Sequence, residues 1–391
     1  MADQSHLHPA DIHGLSRLAV EATLGVAGIA EALHYSIAGT AAGGITGLVY
    51  GSIRGITRLV GGALDTTLAP LAALLGERAS TPAREAMLAA LNGVVGDHLA
   101  ASGNPLAIGM QLRYAGQALE LAPAAIAAAV PNPGRRVLLL AHGLCLNDAH
   151  WLRNGHDHGA RLAGDLGYTP VYLRYNTGLH IAENGRALAA LIEQLADAWP
   201  APIDELAIVA HSMGGLVVRS ACHYGAQAGL RWPGRLRAIA FLGTPHHGAP
   251  LERVGSWVHA LLALNPYTAA FARLGQIRSA GITDLRYGSV LDDDWAGRNR
   301  FALSGDHHHP APLPTGPRCY AIAATLGRAP GDARDALLGD GLVPLASALG
   351  QHASQRLAFP EAHQWVGYGI GHMGLLDQPE VYDRLREWLA G

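Results

Sequence analysis

Beyond residue 135 the apolar positions fall into short unbroken runs separated by segments with helical spacing. The runs are "RVLLLA" (136–141), "PVYLRY" (170–175), "LAIVAH" (206–211), "LRAIAFLG" (236–243), "RCYAIAA" (318–324) and "QRLAF" (355–359). Helix-like stretches lie at 182–198, 213–227 and 379–389. Strands apolar on both faces, alternating with helices, predict a mostly parallel sheet flanked by helices, an α/β fold. Such sheets bind ligands beyond the carboxyl ends of their strands.

Ahead of this region the pattern differs. Residues 1–130 read as an alanine- and glycine-rich helical region, with "IGMQLRYAGQALEL" (108–121) as a candidate hairpin closing it. The proline and glycine punctuation of "PNPGRR" (131–136) marks the boundary to a second domain, 131–391. Residues 32–53 contain no Asp, Glu, Arg or Lys, and Gly39, Gly43, Gly47, Gly51 and Gly55 recur at every fourth position. A helical glycine costs about 1 kcal/mol relative to alanine, so the stripe implies a compensating close approach along one ridge. Two readings stay open: a helical hairpin packed within the protein, and peripheral membrane contact through residues 32–55. The stretch is long enough to span a bilayer but weak in hydropathy.

Composition narrows the function. The 391 residues suffice for one large α/β domain with appended elements. Charged residues make up 15%, and the formal charge is −3. With no basic stripe and no interleaved aromatics, nucleic acid is not an expected partner. All 28 basic residues are arginine. That removes chemistry requiring an ε-amine, a Schiff base or a Walker-type phosphate loop. Cys145, Cys222 and Cys319 are odd in number and scattered, which fits a reducing compartment better than a disulfide framework. The opening "MADQSHLHPADIHGL" has no secretory-signal pattern, so the expected location is cytoplasmic, with membrane association under the second reading.

The chemistry centres on "AIVAHSMGGLVVRS" (207–220), a strand, a serine and a helix. A nucleophile elbow needs small residues two before and two after its serine, because the sharp turn crowds both positions. Here they are Ala210 and Gly214 around Ser212, so the first glycine of G-x-S-x-G is missing. Taken alone, the stretch is equally a turn that tolerates serine. The strand "RVLLLA" runs into "HGLCLND" (142–148), where a loop would offer a backbone N–H to an oxyanion. The two donors expected are the N–H groups of Leu144 and Met213. An acid and then a histidine should follow. Asp340 in "LGDGLVPL" is favoured over Asp332 and Asp335, and His372 in "GIGHMGLLDQPEVYDRLREWL" over His363 and His352. His142, Cys145, His211 and His246 are expected around the substrate pocket, with His142 bracing the loop rather than reacting.

Together "AHSMGG", "HGL", "GTPHHG" (243–248), "DGLVPL" and the "HMGLL…PEVYDRLREWL" ending resemble bacterial serine esterases and lipases of the α/β-hydrolase superfamily, nearest the GPI inositol-deacylase-like branch. The likeness covers residues 136–391. It implies a catalytic triad of Ser212, Asp340 and His372 acting on an ester or lipid substrate without a cofactor. It also suggests a lid or a fixed cap in the insert at about 249–317, where "LERVGSWVHALLALNPYTAAFARL" has helical apolar spacing. The same triad would serve acyl transfer or thioester and amide hydrolysis, and a non-catalytic membrane- or partner-binding module is the remaining alternative. "HDH" (156–158) and "GDHHHP" (305–310) invite a metal reading, but adjacent histidines point in different directions and no metal is expected.

Overall fold

The computed structural model describes residues 8–38, 52–60, 62, 65, 80–250, 279–297, 309, 311–332, 338–352 and 357–391. The chain divides into two compact units. One comprises Met1–Glu85 and His98–Ala107, the other Ala86–Asp97 and Ile108–Gly391.

The first unit is helical where described: α1 (Pro9–Ala38), α2 (52–60) and the outer parts of α3 (Pro82–Ala101). Proline at the first turn and Thr81 as the N-cap start α3, the threonine side chain accepting from the Arg84 N–H. The fully buried carboxylate of Asp11 receives two hydrogen bonds from Arg84, at 2.7 and 2.8 Å, and a third from the His8 N–H. Arg17 reaches the carbonyls of Ser102 and Gly103 at the other end of α3. Buried charge is tolerated here because it is bidentate and otherwise hydrogen-bonded. Of the glycine stripe, residues 39–51 lie outside the described residues.

The second unit carries an eight-stranded sheet in the order β2-β1-β4-β3-β5-β6-β7-β8. The strands are β1 (Gln111–Tyr114), β2 (Gln117–Ala118), β3 (Arg136–Ala141), β4 (Thr169–Arg174), β5 (Glu205–His211), β6 (Leu236–Leu242), β7 (Arg318–Thr325) and β8 (Gln364–Tyr368). From β4 through β8 neighbours pair in parallel. The expected hairpin at 108–121 forms as β1 and β2, and β1 extends the sheet by pairing antiparallel with β4. Asp148 fastens that join, accepting from Arg174 at 2.6 Å and pairing with Arg113 at 2.9 Å.

Central strands β3, β5 and β6 are buried almost throughout, as their continuous apolar runs require. Helix α4 (Pro123–Ala129) precedes β3, and helices α5 (His158–Leu166), α6 (Ile181–Ala198) and α7 (Met213–Gln227), with the C-terminal helix Pro379–Ala390, flank the sheet. One expected strand is corrected. Described residues 357–359 of "QRLAF" are not a strand, and the edge strand is Gln364–Tyr368. Phe359 is buried, but the following Pro360 has no N–H and ends any ladder there, whereas 364–368 pair in register with 321–325.

The central part of the insert, 279–297, is bolted to this unit. Ser279 Oγ donates to the Gly93 carbonyl at 2.6 Å, the Ala280 N–H to Asp97 Oδ2, and Ser220 Oγ to the Val290 carbonyl. His180 pairs with the buried Asp284 and stacks on Trp295 at 3.7 Å. Residues 251–278 and 298–308, which hold most of the expected lid, lie outside the described residues. No described helix is long and apolar enough to cross a membrane.

Candidate active site

β5 ends at His211, and α7 begins at Met213. Ser212 joins them with φ 55° and ψ −128°, a backbone geometry strained for any residue but glycine. Strand and helix must nearly reverse direction across one residue, and this conformation accomplishes that. The small residues around the turn follow from contacts. A β-carbon on Gly214 would lie 2.5 Å from the His142 carbonyl, and one on Gly215 would overlap Thr244 Oγ1. On the strand side Ala210 pairs with Ala141 and Phe241, and its methyl is fully buried there without displacing either neighbour.

The Ser212 N–H donates to the Leu242 carbonyl at 2.8 Å, tying the turn to the end of β6. The next residue, Gly243, has φ 56°, and a β-carbon there would lie 3.1 Å from Asp340 Oδ2 and 3.3 Å from His372 Nδ1. His372 Nδ1–H donates to Asp340 Oδ2 at 2.7 Å, with both side chains almost fully buried. The other Asp340 oxygen, Oδ1, accepts the N–H groups of Leu342 and Val343 at 3.0 and 2.8 Å. The backbone joins in, the His372 N–H donating to the Asp340 carbonyl. Ser212, at the end of β5, and the Asp340–His372 pair, beside Gly243 at the end of β6, thus lie at the same carboxyl end of the sheet.

The rival residues lie elsewhere. His363 Nδ1–H donates to the carbonyl of Cys319, at the amino end of β7 and so at the opposite end of the strands from Ser212. His352 stacks on His247. Asp332 accepts the Arg328 N–H within its own turn, and Asp335 lies outside the described residues.

The loop after β3 passes directly beside Ser212, where a β-carbon on Gly143 would come within 2.9 Å of Ser212 Cβ. Leu144 and Met213, the expected oxyanion donors, flank this approach. Met213 opens α7, so its N–H has no partner within the helix and the helix dipole favours negative charge beside it. Cys145 holds the loop in a left-handed turn at φ 59°, and its N–H donates to Thr177 Oγ1 at 3.1 Å. Its thiol packs on Gly93 of α3 and is pushed up to about 12 by burial, which leaves it unreactive.

The other pocket candidates are enclosed as well. His142 stacks on Tyr175 at 4.5 Å, and the tyrosine hydroxyl donates to the His142 carbonyl. Burial lowers the His142 imidazole to about 3, so it stays neutral and braces the loop. His211 donates from Nε2 to the His372 carbonyl at 3.2 Å, and burial and then the neighbouring His372 hold it well below the usual range. His246 sits between Phe241 and Phe359, near the buried Arg219. His156 and His158 spend a ring nitrogen each on one another at 2.8 Å, and His309 bonds Asp294. Among the described residues no three ligand-type side chains converge on one point.

Thr177 and Gly93 were not visible as site residues in the sequence. Each acts through a partner tens of residues away, so no local spacing marks them.

Several solved structures are similar to this chain. A Bacillus licheniformis lipase in its mature form is 17% identical over 66% of this chain and 94% of its own, with a TM-score of 0.43. Aspergillus fumigatus lipase B is 13% identical over 70% of this chain and 59% of its own, at 0.42. A Pyrococcus furiosus esterase is 13% identical over 66% and 81%, at 0.38. No curated protein sequence matches. Within the chain, residues 176–311 match the family described as the PGAP1-like alpha/beta domain.

Proposed function

We propose that the protein is a serine hydrolase of the α/β-hydrolase type that cleaves carboxylic esters, including lipid esters, through an acyl-enzyme on Ser212. The observation that carries this reading is the strained Ser212 turn at the head of α7, set beside the 2.7 Å His372–Asp340 pair. Backbone strain at a serine persists only where surrounding structure enforces it, and enforced strain concentrates at functional sites.

In this reading His372 Nε2 takes the Ser212 proton as Oγ attacks the ester carbonyl. Asp340 holds the tautomer with hydrogen on Nδ1 and stabilises the imidazolium. The N–H groups of Leu144 and Met213 receive the oxyanion. His372 then returns the proton to the leaving alcohol, and water releases the acyl group by the same steps.

The test is hydrolysis of nitrophenyl esters from acetate to palmitate. Ser212→Ala should lower kcat by at least about a thousandfold while the circular dichroism spectrum is unchanged; retained turnover refutes the assignment. Within the same series, a preference for short chains in solution marks an esterase, and a jump in rate above the solubility limit marks a lipase.

A further inference from the structure

The apolar side chains of α2 point the wrong way for a helix of a water-soluble unit. At about 100° per residue, Ile53, Ile56, Leu59 and Val60 share an arc of about 120°. Arg54 and Arg58 lie on the opposite side. An ordinary surface helix hides its apolar arc and shows its charges. Here Ile56 is 65% exposed, Leu59 76%, Val60 49% and Ile53 39%, whereas the half-buried positions are Arg54 and Thr57. One exposed aliphatic residue is unremarkable, but four on a single helical face are a surface awaiting a cover.

Chemistry selects the cover. The face carries four aliphatic side chains beside Ser52 and lacks the aromatic and methionine anchors that mark protein interfaces. Residues 32–64 contain no Asp or Glu, so the two arginines give the segment a positive balance. An aliphatic arc with basic residues on the other face is the pattern of a helix lying in the plane of an anionic lipid surface. Among the described residues no helix is long and apolar enough to cross a membrane.

We propose that α2 is an interfacial membrane anchor that sinks Ile53, Ile56, Leu59 and Val60 to the acyl boundary of an anionic lipid surface. This sharpens the membrane reading of residues 32–55 to the described helix 52–60. It concerns binding alone and holds or fails independently of the hydrolase chemistry.

The test is flotation of the full chain with vesicles of equal parts phosphatidylcholine and phosphatidylglycerol, and with vesicles of phosphatidylcholine alone. The wild-type protein should float with the anionic vesicles and less with the neutral ones. Ile56→Ser/Leu59→Ser should abolish flotation without changing the circular dichroism spectrum. Arg58→Glu should weaken binding to the anionic vesicles by at least about fivefold and leave binding to neutral vesicles unchanged. Absence of wild-type flotation overturns the proposal, as does a serine double variant that floats like wild type. So does a wild-type dimer that fails to float and becomes a monomer in the double variant, since a second copy would then be the cover.

Discussion

Gly93 of α3 and Cys145 of the loop after β3 touch so closely that a β-carbon on Gly93 would overlap the thiol and come within 3.0 Å of the Cys145 Cα. Helix α3 therefore backs the loop that would offer the Leu144 N–H. Gly93→Ala should destabilise the protein by about 1–3 kcal/mol and lower kcat on a nitrophenyl ester. Cys145→Gly removes the thiol and suits φ 59°, so the double variant should recover much of both losses. A double-mutant cycle in stability and kcat measures the coupling, and purely additive effects would refute it.

Asp340 fixes the tautomer of its histidine partner by an asymmetric arrangement. Oδ1 is held by two backbone N–H groups and Oδ2 faces His372 Nδ1. In Asp340→Asn the amide oxygen must take the Oδ1 position, which turns the NH2 group toward Nδ1. The imidazole then carries its proton on Nε2 and is unable to accept one from Ser212. The variant should fold normally and lose about a thousandfold or more in kcat with little change in KM. A loss below about tenfold contradicts the assigned roles.

Strain at Ser212 predicts a trade between stability and activity. Ser212→Ala keeps a Cβ in a conformation that disfavours one, whereas Ser212→Gly relieves it. The glycine variant should be more stable than the alanine variant by about 1 kcal/mol, the reverse of the usual order in and around helices. Urea unfolding of the two variants decides, and a more stable alanine form sinks the strain argument.

Acid should destabilise the folded chain from a pH set by its buried histidines. His142 is lowered to about 3 and His158 to about 4, in both cases first by burial, against an ordinary value of 6.5. Between the folded and unfolded values the unfolded chain binds the extra proton. Stability is therefore complete above about pH 6.5, falls as pH drops below it, and levels off only beneath the folded values. Each such histidine contributes up to about 1.4 kcal/mol per pH unit. His158→Gln, which keeps a donor near the Leu375 carbonyl, should flatten the slope of melting temperature against pH between about pH 7 and about pH 5. An unchanged slope would show that His158 is not a source of the acid sensitivity.

The central strands were legible because a parallel strand buried on both faces has to be an uninterrupted apolar run, as in 136–141 and 206–211. Ser212 was legible because the turn tolerates only small neighbours, and Gly214 and Gly215 stand where carbonyl and threonine atoms leave no room. Edge elements were harder to read. An edge strand such as Gln364–Tyr368 is only half-buried, so its apolar signal is weak, while the better run at 355–359 ends at a proline.

By itself the sequence determined the α/β pattern and the serine turn, consequences of burial period and local sterics. Only the tertiary structure decided which histidine meets which acid. His363 and His372 are nine residues apart in the chain, yet β8 runs between them and carries them to opposite ends of the sheet. Tertiary structure alone also set Gly93 against Cys145 and turned the aliphatic face of α2 outward. Contacts between residues distant in sequence depend on how the elements pack, and no local pattern encodes that.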